Sequence, residues 1–242
     1  MRDQLRHLFY NVMPEWLLRR HVARRLRRRA ARLAAEAGLL SEPAALVEVL
    51  WPYFEFRPIQ IRSEIIRLLD QIRPLRPRAI LEIGAASGGT TFLFSRTAEP
   101  GAAIVSIDIG FDPGRSAAVR AISRPGIALY PLCRDSHQRS TVDEVRSICP
   151  APLDFLFVDG DHTYDGVRRD YEMYSALVRS GGLIAFHDIV PDRRMRTGEV
   201  THADVGGVPI FWADLKARFP DRTEEIVEHP GQDGYGIGLL RR

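Results

Sequence analysis

Two apolar segments of the sequence, 155–158 and 183–186, are each followed at once by acidic and imidazole side chains. These side chains are Asp159, Asp161, His162, His187 and Asp188. Carboxylates and imidazoles that face one cleft suit a divalent cation, and carboxylate oxygens favour magnesium, manganese or calcium over zinc. A histidine can also act as a general base, because its unperturbed pKa of about 6.5 lies near neutral pH. The pattern predicts the chemical site of an enzyme.

A glycine-rich turn follows another apolar segment, in the order Glu82-Ile83-Gly84-Ala85-Ala86-Ser87-Gly88-Gly89. Glycine lets the backbone turn tightly and approach a ligand closely. In the dinucleotide pattern GxGxxG the second glycine admits a pyrophosphate, and Ala86 stands in its place, so a ligand without a diphosphate fits better. Asp108 follows the next apolar segment and is placed to accept both hydroxyls of a ribose. Together the turn and Asp108 favour a nucleoside-bearing cofactor, although such a turn alone can be purely structural.

The elements that position these residues alternate between strands and helices. Strands are predicted near 79–84, 103–108, 127–132, 155–158, 183–186 and 234–240, and helices at 60–73, from 90, and at 115–122, 140–148 and 164–178. This alternation, with near-continuous apolar strands, predicts a doubly wound, mostly parallel α/β sheet. Ligands bind beyond the carboxyl ends of the strands in such sheets, which is where the polar residues collect.

An amphipathic helix is predicted at 15–37, where Leu18, Val22, Leu26, Ala30, Leu33 and Ala37 recur at steps of three and four. We therefore divide the chain into a basic helical extension, residues 1–50, and a catalytic domain, residues 51–242. Residues 1–40 hold ten arginines against three acids, a balance of +7, so the remainder carries −4 of the net charge of +3. The apolar stripe can pack on the body of the protein or on a second subunit, which makes a homo-oligomer plausible. The basic face could contact an anionic membrane surface, whereas a nucleic-acid partner is not expected.

Composition excludes several other classes of protein. The 242 residues are 45% hydrophobic and 27% charged, which argues against a disordered chain. Two cysteines, Cys133 and Cys149, without CxxC spacing make a zinc ribbon or a disulfide framework unexpected. The sequence shows neither an apolar run long enough to span a bilayer nor a secretory signal, so we expect a cytoplasmic protein.

Four segments carry a resemblance to a known family: LEIGAASGGTTF, IVSIDI, FVDGDHTYDGVRRDYEMY and SGGLIAFHDI. They resemble class I S-adenosylmethionine-dependent methyltransferases, and within these the small-molecule and sugar O-methyltransferases (macrocin O-methyltransferase-like and cephalosporin-hydroxylase-like proteins). The resemblance covers about residues 55–242. It implies a Rossmann-like, seven-stranded, mostly parallel sheet with S-adenosylmethionine as cofactor and a sugar, glycan or glycosylated natural product as acceptor.

The resemblance also implies roles for single residues. The methionine pocket would be shaped by the turn, including Glu82, Gly84, Ala85, Ser87 and Gly88. Asp108 would bind the ribose, and Asp135 and Ser136 would lie beside the adenine. Asp159 would also contact the cofactor.

In the related catechol- and caffeoyl-CoA-type enzymes a metal lies between an Asp after the fourth strand and an Asp-Asn pair after the fifth. Asp159 matches the first, and His187-Asp188 stands in place of the pair, so Asp159, His187 and Asp188 are the expected ligands of Mg²⁺. His162 stands where those enzymes carry the lysine that takes the substrate proton, so His162 is the expected base, with His187 as the alternative.

Two other functions remain open at this stage. A non-catalytic cofactor-binding scaffold would have no physical need for the acids and imidazoles. A nicotinamide-dependent oxidoreductase on a similar sheet is disfavoured by Ala86.

Overall fold

The computed structural model describes residues 14–242, apart from the side chains of residues 15, 16, 18 and 19. The first 13 residues of the predicted helical extension therefore lie outside the described part of the chain. Seven strands form one sheet: β1 (Ala79–Ile83), β2 (Ala103–Ile107), β3 (Ala128–Leu132), β4 (Leu153–Val158), β5 (Val178–His187), β6 (Thr223–Ile226) and β7 (Ile237–Arg241).

The sheet has the strand order β3-β2-β1-β4-β5-β7-β6. The five strands from β3 to β5 are parallel neighbours, and β7 lies antiparallel between β5 and β6. The predicted mostly parallel, seven-stranded sheet is confirmed. The strand order reverses between β1 and β4, and their carboxyl ends open the crevice in which such sheets bind ligands.

Helices cover both faces of the sheet. In chain order they are α1 (Glu15–Ala37), α2 (Pro43–Leu50), α3 (Arg62–Ile72), α4 (Gly89–Thr97), α5 (Pro113–Ile122), α6 (Arg139–Ile148), α7 (Tyr164–Tyr174), α8 (Arg193–Thr197) and α9 (Val208–Arg218). Short 3₁₀ turns occupy Arg73–Leu75, Ser175–Leu177 and Pro220–Arg222. None of the helices in residues 14–242 has the length and apolar character that a membrane span requires.

The long helix α1 packs on the body of the protein. Its apolar residues Leu26, Ala30, Leu33 and Ala37 are buried in the same core as α2 and the inner face of β1 and β4. The part of the stripe from Leu26 to Ala37 is therefore covered within one chain, whereas Val22 remains 51% exposed. The division at residue 50 remains a prediction, and residues 26–50 share their core with the sheet.

The direction of α1 matters for the site. Near its start, the side chain of Ala23 approaches Gly114 at the beginning of α5, where a Cβ on Gly114 would lie 3.6 Å from the Cβ of Ala23. At its end, the carbonyl of Gly38 accepts a hydrogen bond of 2.6 Å from Arg96, in the last turn of α4. Helices α4 and α5 both start at the carboxyl edge of the sheet, so α1 runs from that edge to the opposite one.

Candidate active site

A cavity of about 750 Å³ opens at the carboxyl ends of β1, β2, β4 and β5. Its wall contains residues from both groups that the sequence singled out: Gly84, Asp108, Asp135, Ser136, Asp159, Asp161, His162, His187 and Asp188. The parallel arrangement of the strands thus brings segments that are far apart in the sequence into one space.

The glycine turn after β1 is in close backbone contact with the end of β4. Gly84 has a φ of 83°, and a Cβ at this position would lie 1.9 Å from the carbonyl oxygen of Asp159. Gly88 has a φ of 84°, and a Cβ there would lie 2.4 Å from Cγ2 of Val119. Both positions therefore need glycine, for the backbone conformation and for the space.

The carboxylate of Asp108 is oriented by the turn itself. The Ala86 N–H donates to Oδ2 at 2.7 Å, and the Gly110 N–H donates to Oδ1 at 2.6 Å. Ala86 has a φ of 43°, an uncommon left-handed conformation for a residue with a side chain. Each carboxylate oxygen has a further lone pair, so Asp108 can still accept two hydroxyls from a ligand.

Glu82 lies beneath the turn and outside the cavity wall. Its carboxylate is fully buried and accepts hydrogen bonds from the hydroxyls of Thr90, Thr91 and Ser106. Burial raises the pKa of this carboxyl to about 7, although the hydroxyl donors oppose the shift. The structure places Glu82 between β1, β2 and the start of α4, where it holds the turn from below.

The remaining residues expected around the cofactor occupy three settings. Ala85 is buried and lies outside the cavity wall, and the Ser87 hydroxyl donates to the carbonyl of Arg57 at 3.3 Å. Asp135 is exposed and accepts from the His137 N–H and the Gln138 side chain, both at 2.8 Å. The bond from Gln138 is the main cause of a lowered pKa of Asp135. Ser136 follows it in the wall.

Four side chains form an acid–imidazole cluster at the ends of β4 and β5: Asp159, His162, His187 and Asp188. His187 Nδ1 lies 3.1 Å from Asp159 Oδ1 and 3.3 Å from Asp188 Oδ2. His162 Nε2 lies 3.4 Å from the same Asp159 oxygen. Asp188 has a φ of 63°, so the chain leaves β5 through a left-handed residue that turns this carboxylate back to the cluster.

The two imidazoles differ in their access to the cavity. The His162 side chain is 30% exposed, whereas the His187 side chain is only 2% exposed. His162 Nδ1 is hydrogen-bonded to the carbonyl of Asp204, and because a carbonyl only accepts, Nδ1 carries the hydrogen. In neutral His162 the free lone pair is then on Nε2. His187 Nε2 is buried and has no hydrogen-bond partner among the described residues.

The carboxylates keep both imidazoles protonated. The hydrogen bond with Asp159 is the largest cause that raises the pKa of His162, which reaches about 9. Burial lowers the pKa of His187, but Asp159 and Asp188 outweigh burial and raise it to about 10. Burial would raise the pKa of Asp159, and the two imidazoles overcome this and lower it. Without another cation, both imidazoles are thus protonated at neutral pH.

The donor set fits a divalent cation. Ligand atoms of Asp159, His162 and Asp188 all lie within 4.8 Å of one another. Two carboxylates and an imidazole are ligands that such ions accept in proteins. Of the three residues expected from the sequence, Asp159 and Asp188 belong to this set, and His187 lies behind it against the same two carboxylates.

Sequence reasoning missed several residues of the site. Gln60, which is 3% exposed, donates to Asp159 Oδ2 at 2.7 Å from the loop before α3, and its own Oε1 is buried without a described partner. Ile59 and Ile109 line the cavity while remaining 71% and 80% exposed. The position of Ile109 directly after Asp108 could have indicated its role, whereas Gln60 lies 99 residues from Asp159 in the sequence and gave no signal.

The segment that carries the site resembles a known family of domains. A family model described as a methyltransferase domain matches residues 81–189, which span the glycine turn, Asp108 and the acid–imidazole cluster. By this match, residues 81–189 resemble a methyltransferase domain. The match agrees with the enzyme class expected from the sequence, a methyltransferase.

Two solved structures share the methyltransferase fold over most of the chain. An O-methyltransferase from Bacillus cereus, in complex with SAH, has 18% identity and a TM-score of 0.54, covering 84% of this chain and 91% of that one. The O-methyltransferase TomG from Streptomyces achromogenes, involved in tomaymycin synthesis and in complex with SAM, has 20% identity, a TM-score of 0.54 and the same coverages of 84% and 91%. The fold is that of S-adenosylmethionine-dependent O-methyltransferases.

A relative by sequence extends over a shorter stretch. The uncharacterised protein R132 of Acanthamoeba polyphaga mimivirus is 29% identical over 115 residues, which are 45% of this chain and 50% of R132. The chain thus spans about half the length of the curated relative that it matches.

Proposed function

We propose that this protein is a methyltransferase that transfers the methyl group of S-adenosylmethionine to a hydroxyl of a small molecule or glycan. The observation that carries the proposal is the shared cavity, in which the cofactor elements and the acid–imidazole cluster face the same space. Contact between Gly84 and the Asp159 backbone keeps the glycine turn next to the acid–imidazole cluster.

The cavity offers a distinct surface to each part of the cofactor. The two oriented oxygens of Asp108 are suited to the ribose hydroxyls, and Ile109 beside them offers an apolar surface to the base. Asp135 and Ser136 supply polar groups for the edge of the base. Gly84 and Ala86 of the turn line the cavity, so the backbone there is available to the methionine portion.

His162 is the group that we assign to take the acceptor's proton. When bound, S-adenosylmethionine supplies an electrophilic methyl carbon, so the protein must orient the acceptor oxygen and remove its proton. His162 faces the cavity, and its Nδ1–H is held by the Asp204 carbonyl, so Nε2 is the accepting atom whenever this imidazole is neutral. Without a bound cation, the pKa of about 9 makes the neutral form the minor one at neutral pH. His187 is buried against Asp159 and Asp188, so we assign it the role of orienting these carboxylates.

We further propose that Asp159 and Asp188 hold a divalent ion, with Mg²⁺ as the first candidate. Such an ion lowers the pKa of a hydroxyl that it binds. An aliphatic hydroxyl needs this help more than a phenol does, which supports a sugar, glycan or glycosylated natural product as acceptor. Gln60 positions the metal-facing carboxylate of Asp159 through its amide donor.

Co-crystals with S-adenosylhomocysteine and Mg²⁺ would test this assignment. We expect the ribose on Asp108, the sulfur near the glycine turn, and metal density between Asp159 and Asp188. A nucleoside bound elsewhere would overturn the cofactor assignment. Bound cofactor without metal density would overturn only the proposal of a metal site.

A further inference from the structure

The outward face of α1 carries four arginines that the fold does not use. Arg20, Arg24, Arg27 and Arg28 are exposed, and within residues 14–242 none of them forms a hydrogen bond or an ion pair. By contrast, Arg25 and Arg29 on the same helix contact Glu55, and Arg32 contacts Glu36. The helix is therefore anchored by one set of arginines while another set remains available for a partner.

These four arginines lie toward the edge of the sheet that carries the active site. Ala23 contacts the first turn of α5, which begins at that edge, and the four arginines all lie within five residues of Ala23. At 1.5 Å per residue this is a distance of roughly 8 Å or less along the helix axis. A small surface cleft of about 220 Å³ is formed there by Leu17, Arg20, His21 and Arg24.

Exposed apolar side chains occupy the same edge. Ile59 and Ile109 are 71% and 80% exposed and line the cavity, and Phe54 is 69% exposed. Phe54 precedes Glu55, whose carboxylate contacts α1 and whose carbonyl accepts from Arg115 at the start of α5. The loop of Phe54 and Ile59 thus lies between α1 and the cavity mouth.

Among the described side chains, the acids closest to these four arginines do not neutralise them. The Glu55 carboxylate faces Arg25 and Arg29, and the Asp112 carboxylate caps α5 by accepting the Arg115 N–H at 2.8 Å. A cationic helix face beside exposed isoleucine and phenylalanine is complementary to an anionic lipid surface, where phosphates meet arginines and acyl chains meet apolar groups. A nucleic acid would match the charge and leave the apolar side chains without a partner.

We propose that the active-site edge docks on an anionic membrane surface. In this arrangement Arg20, Arg24, Arg27 and Arg28 contact lipid headgroups, and Phe54, Ile59 and Ile109 contact the interfacial region, so the cavity mouth faces the bilayer. The proposal requires no turnover and is tested independently of the proposed function.

Vesicle co-sedimentation tests the proposal with the purified full chain. The vesicles are phosphatidylglycerol, with pure phosphatidylcholine as the neutral reference. We expect binding to phosphatidylglycerol alone, weakened by salt because headgroup attraction is screened. The R20Q/R24Q/R27Q/R28Q variant should bind at least about tenfold more weakly, because each arginine near an anionic surface contributes to the binding free energy.

The matched control removes the same charge elsewhere. The R78Q/R120Q/R146Q/R218Q variant changes four exposed arginines outside the site-edge face, and it should bind like the wild type. Phe54→Ser tests the apolar part and should weaken binding without changing net charge. Circular dichroism and the Tm of every variant confirm that the fold is intact, since none of these side chains is buried.

Several outcomes would overturn the proposal. These are absence of binding to phosphatidylglycerol, equal binding to phosphatidylcholine, or equal loss in both quadruple variants, which would mean a response to net charge alone. Tighter binding to a single-stranded DNA oligonucleotide than to vesicles would mean a nucleic-acid surface. A change from dimer to monomer in the site-edge variant, seen by light scattering, would mean that a second copy covers this face.

Discussion

A Cβ on Gly84 would lie 1.9 Å from the carbonyl oxygen of Asp159. The turn that we assign to the cofactor and the strand end that begins the acid–imidazole cluster are therefore in backbone contact. Gly84 also donates its N–H to the carbonyl of Ile107 at 2.9 Å, which connects the same point to β2. A displacement at Gly84 must move the acid, the turn or the strand that carries Asp108.

Gly84→Ala should consequently be far more harmful than an alanine at a glycine of similar conformation. Gly101 provides the matched control, because its φ of 81° is close to the 83° of Gly84 while no atom lies within 4 Å of the added Cβ. Gly101→Ala should lower the free energy of unfolding by about 1–2 kcal/mol, the cost of a left-handed conformation for a residue with a Cβ. Gly84→Ala adds a backbone clash, so urea unfolding should show a larger loss of stability, with weaker S-adenosylhomocysteine binding. Equal losses would contradict the contact.

The buried carboxyl of Glu82 should make stability depend on pH. Its pKa is about 7 in the folded protein, against 4.5 for an ordinary glutamate. As the pH rises from about 4.5 to about 7, the unfolded chain loses this proton while the folded protein retains it, so the free energy of unfolding falls. The loss should reach about 3 kcal/mol relative to Glu82→Gln.

The Glu82 prediction is checked by urea unfolding at a series of pH values. The exposed Glu172→Gln variant serves as the control and should parallel the wild type. If the stability difference between wild type and Glu82→Gln stays constant with pH, Glu82 titrates normally and the assigned effect of burial is wrong.

His162→Ala should separate proton transfer from binding. We expect turnover to fall by at least about 10²-fold, as for the loss of a general base. The affinity for S-adenosylhomocysteine should remain within about threefold of wild type, because the base does not contact the cofactor in our assignment. His202→Ala, an exposed histidine of the loop before α9, is the control.

Two results would change the role of His162. Unchanged turnover would remove it as the base. A large loss of Mg²⁺ affinity would make it a metal ligand instead, in line with its place within 4.8 Å of Asp159 and Asp188.

Metal binding should release protons and strengthen as the pH rises. The pKa values of about 9 for His162 and about 10 for His187 mean that both are protonated at neutral pH, and a divalent ion between the carboxylates repels these protons. Calorimetry with Mg²⁺ or Mn²⁺ in buffers of different ionisation enthalpy should therefore show proton release. Asp188→Asn should abolish the metal response, whereas the exposed Asp165→Asn should not. Binding without proton release would contradict the assignment of protonated His162 and His187 at neutral pH.

Much of the fold could be predicted because periodicity reports burial. The helix predicted at 15–37 matches Glu15–Ala37, and the five apolar strands that form the parallel part were all found. Strand β5 begins earlier than predicted, at Val178 instead of residue 183. Strand β6, Thr223–Ile226, was missed because its residues TEEI are mainly polar and two of them are exposed at the edge of the sheet. Helix α9 was not predicted, because Gly206, Gly207 and Pro209 around its start are residues typical of a loop.

The candidate site could be predicted only where its residues follow a strand. Asp108, Asp159 and Asp188 all stand directly after apolar segments, and parallel topology then brings these positions to one edge. Gln60 and the Asp204 carbonyl reach the cluster from distant loops, which no local pattern reveals. The difference in exposure between His162 and His187 could not be predicted from the sequence either, because both lie near strand ends.

Calorimetric titration of the purified chain with S-adenosylmethionine and S-adenosylhomocysteine tests the central claim most directly. The structure predicts saturable binding of both at one site per chain, weakened at least about tenfold in Asp108→Ala because two hydroxyls lose their acceptor. No heat and no saturation with either compound, for a chain shown to be folded, would contradict the account.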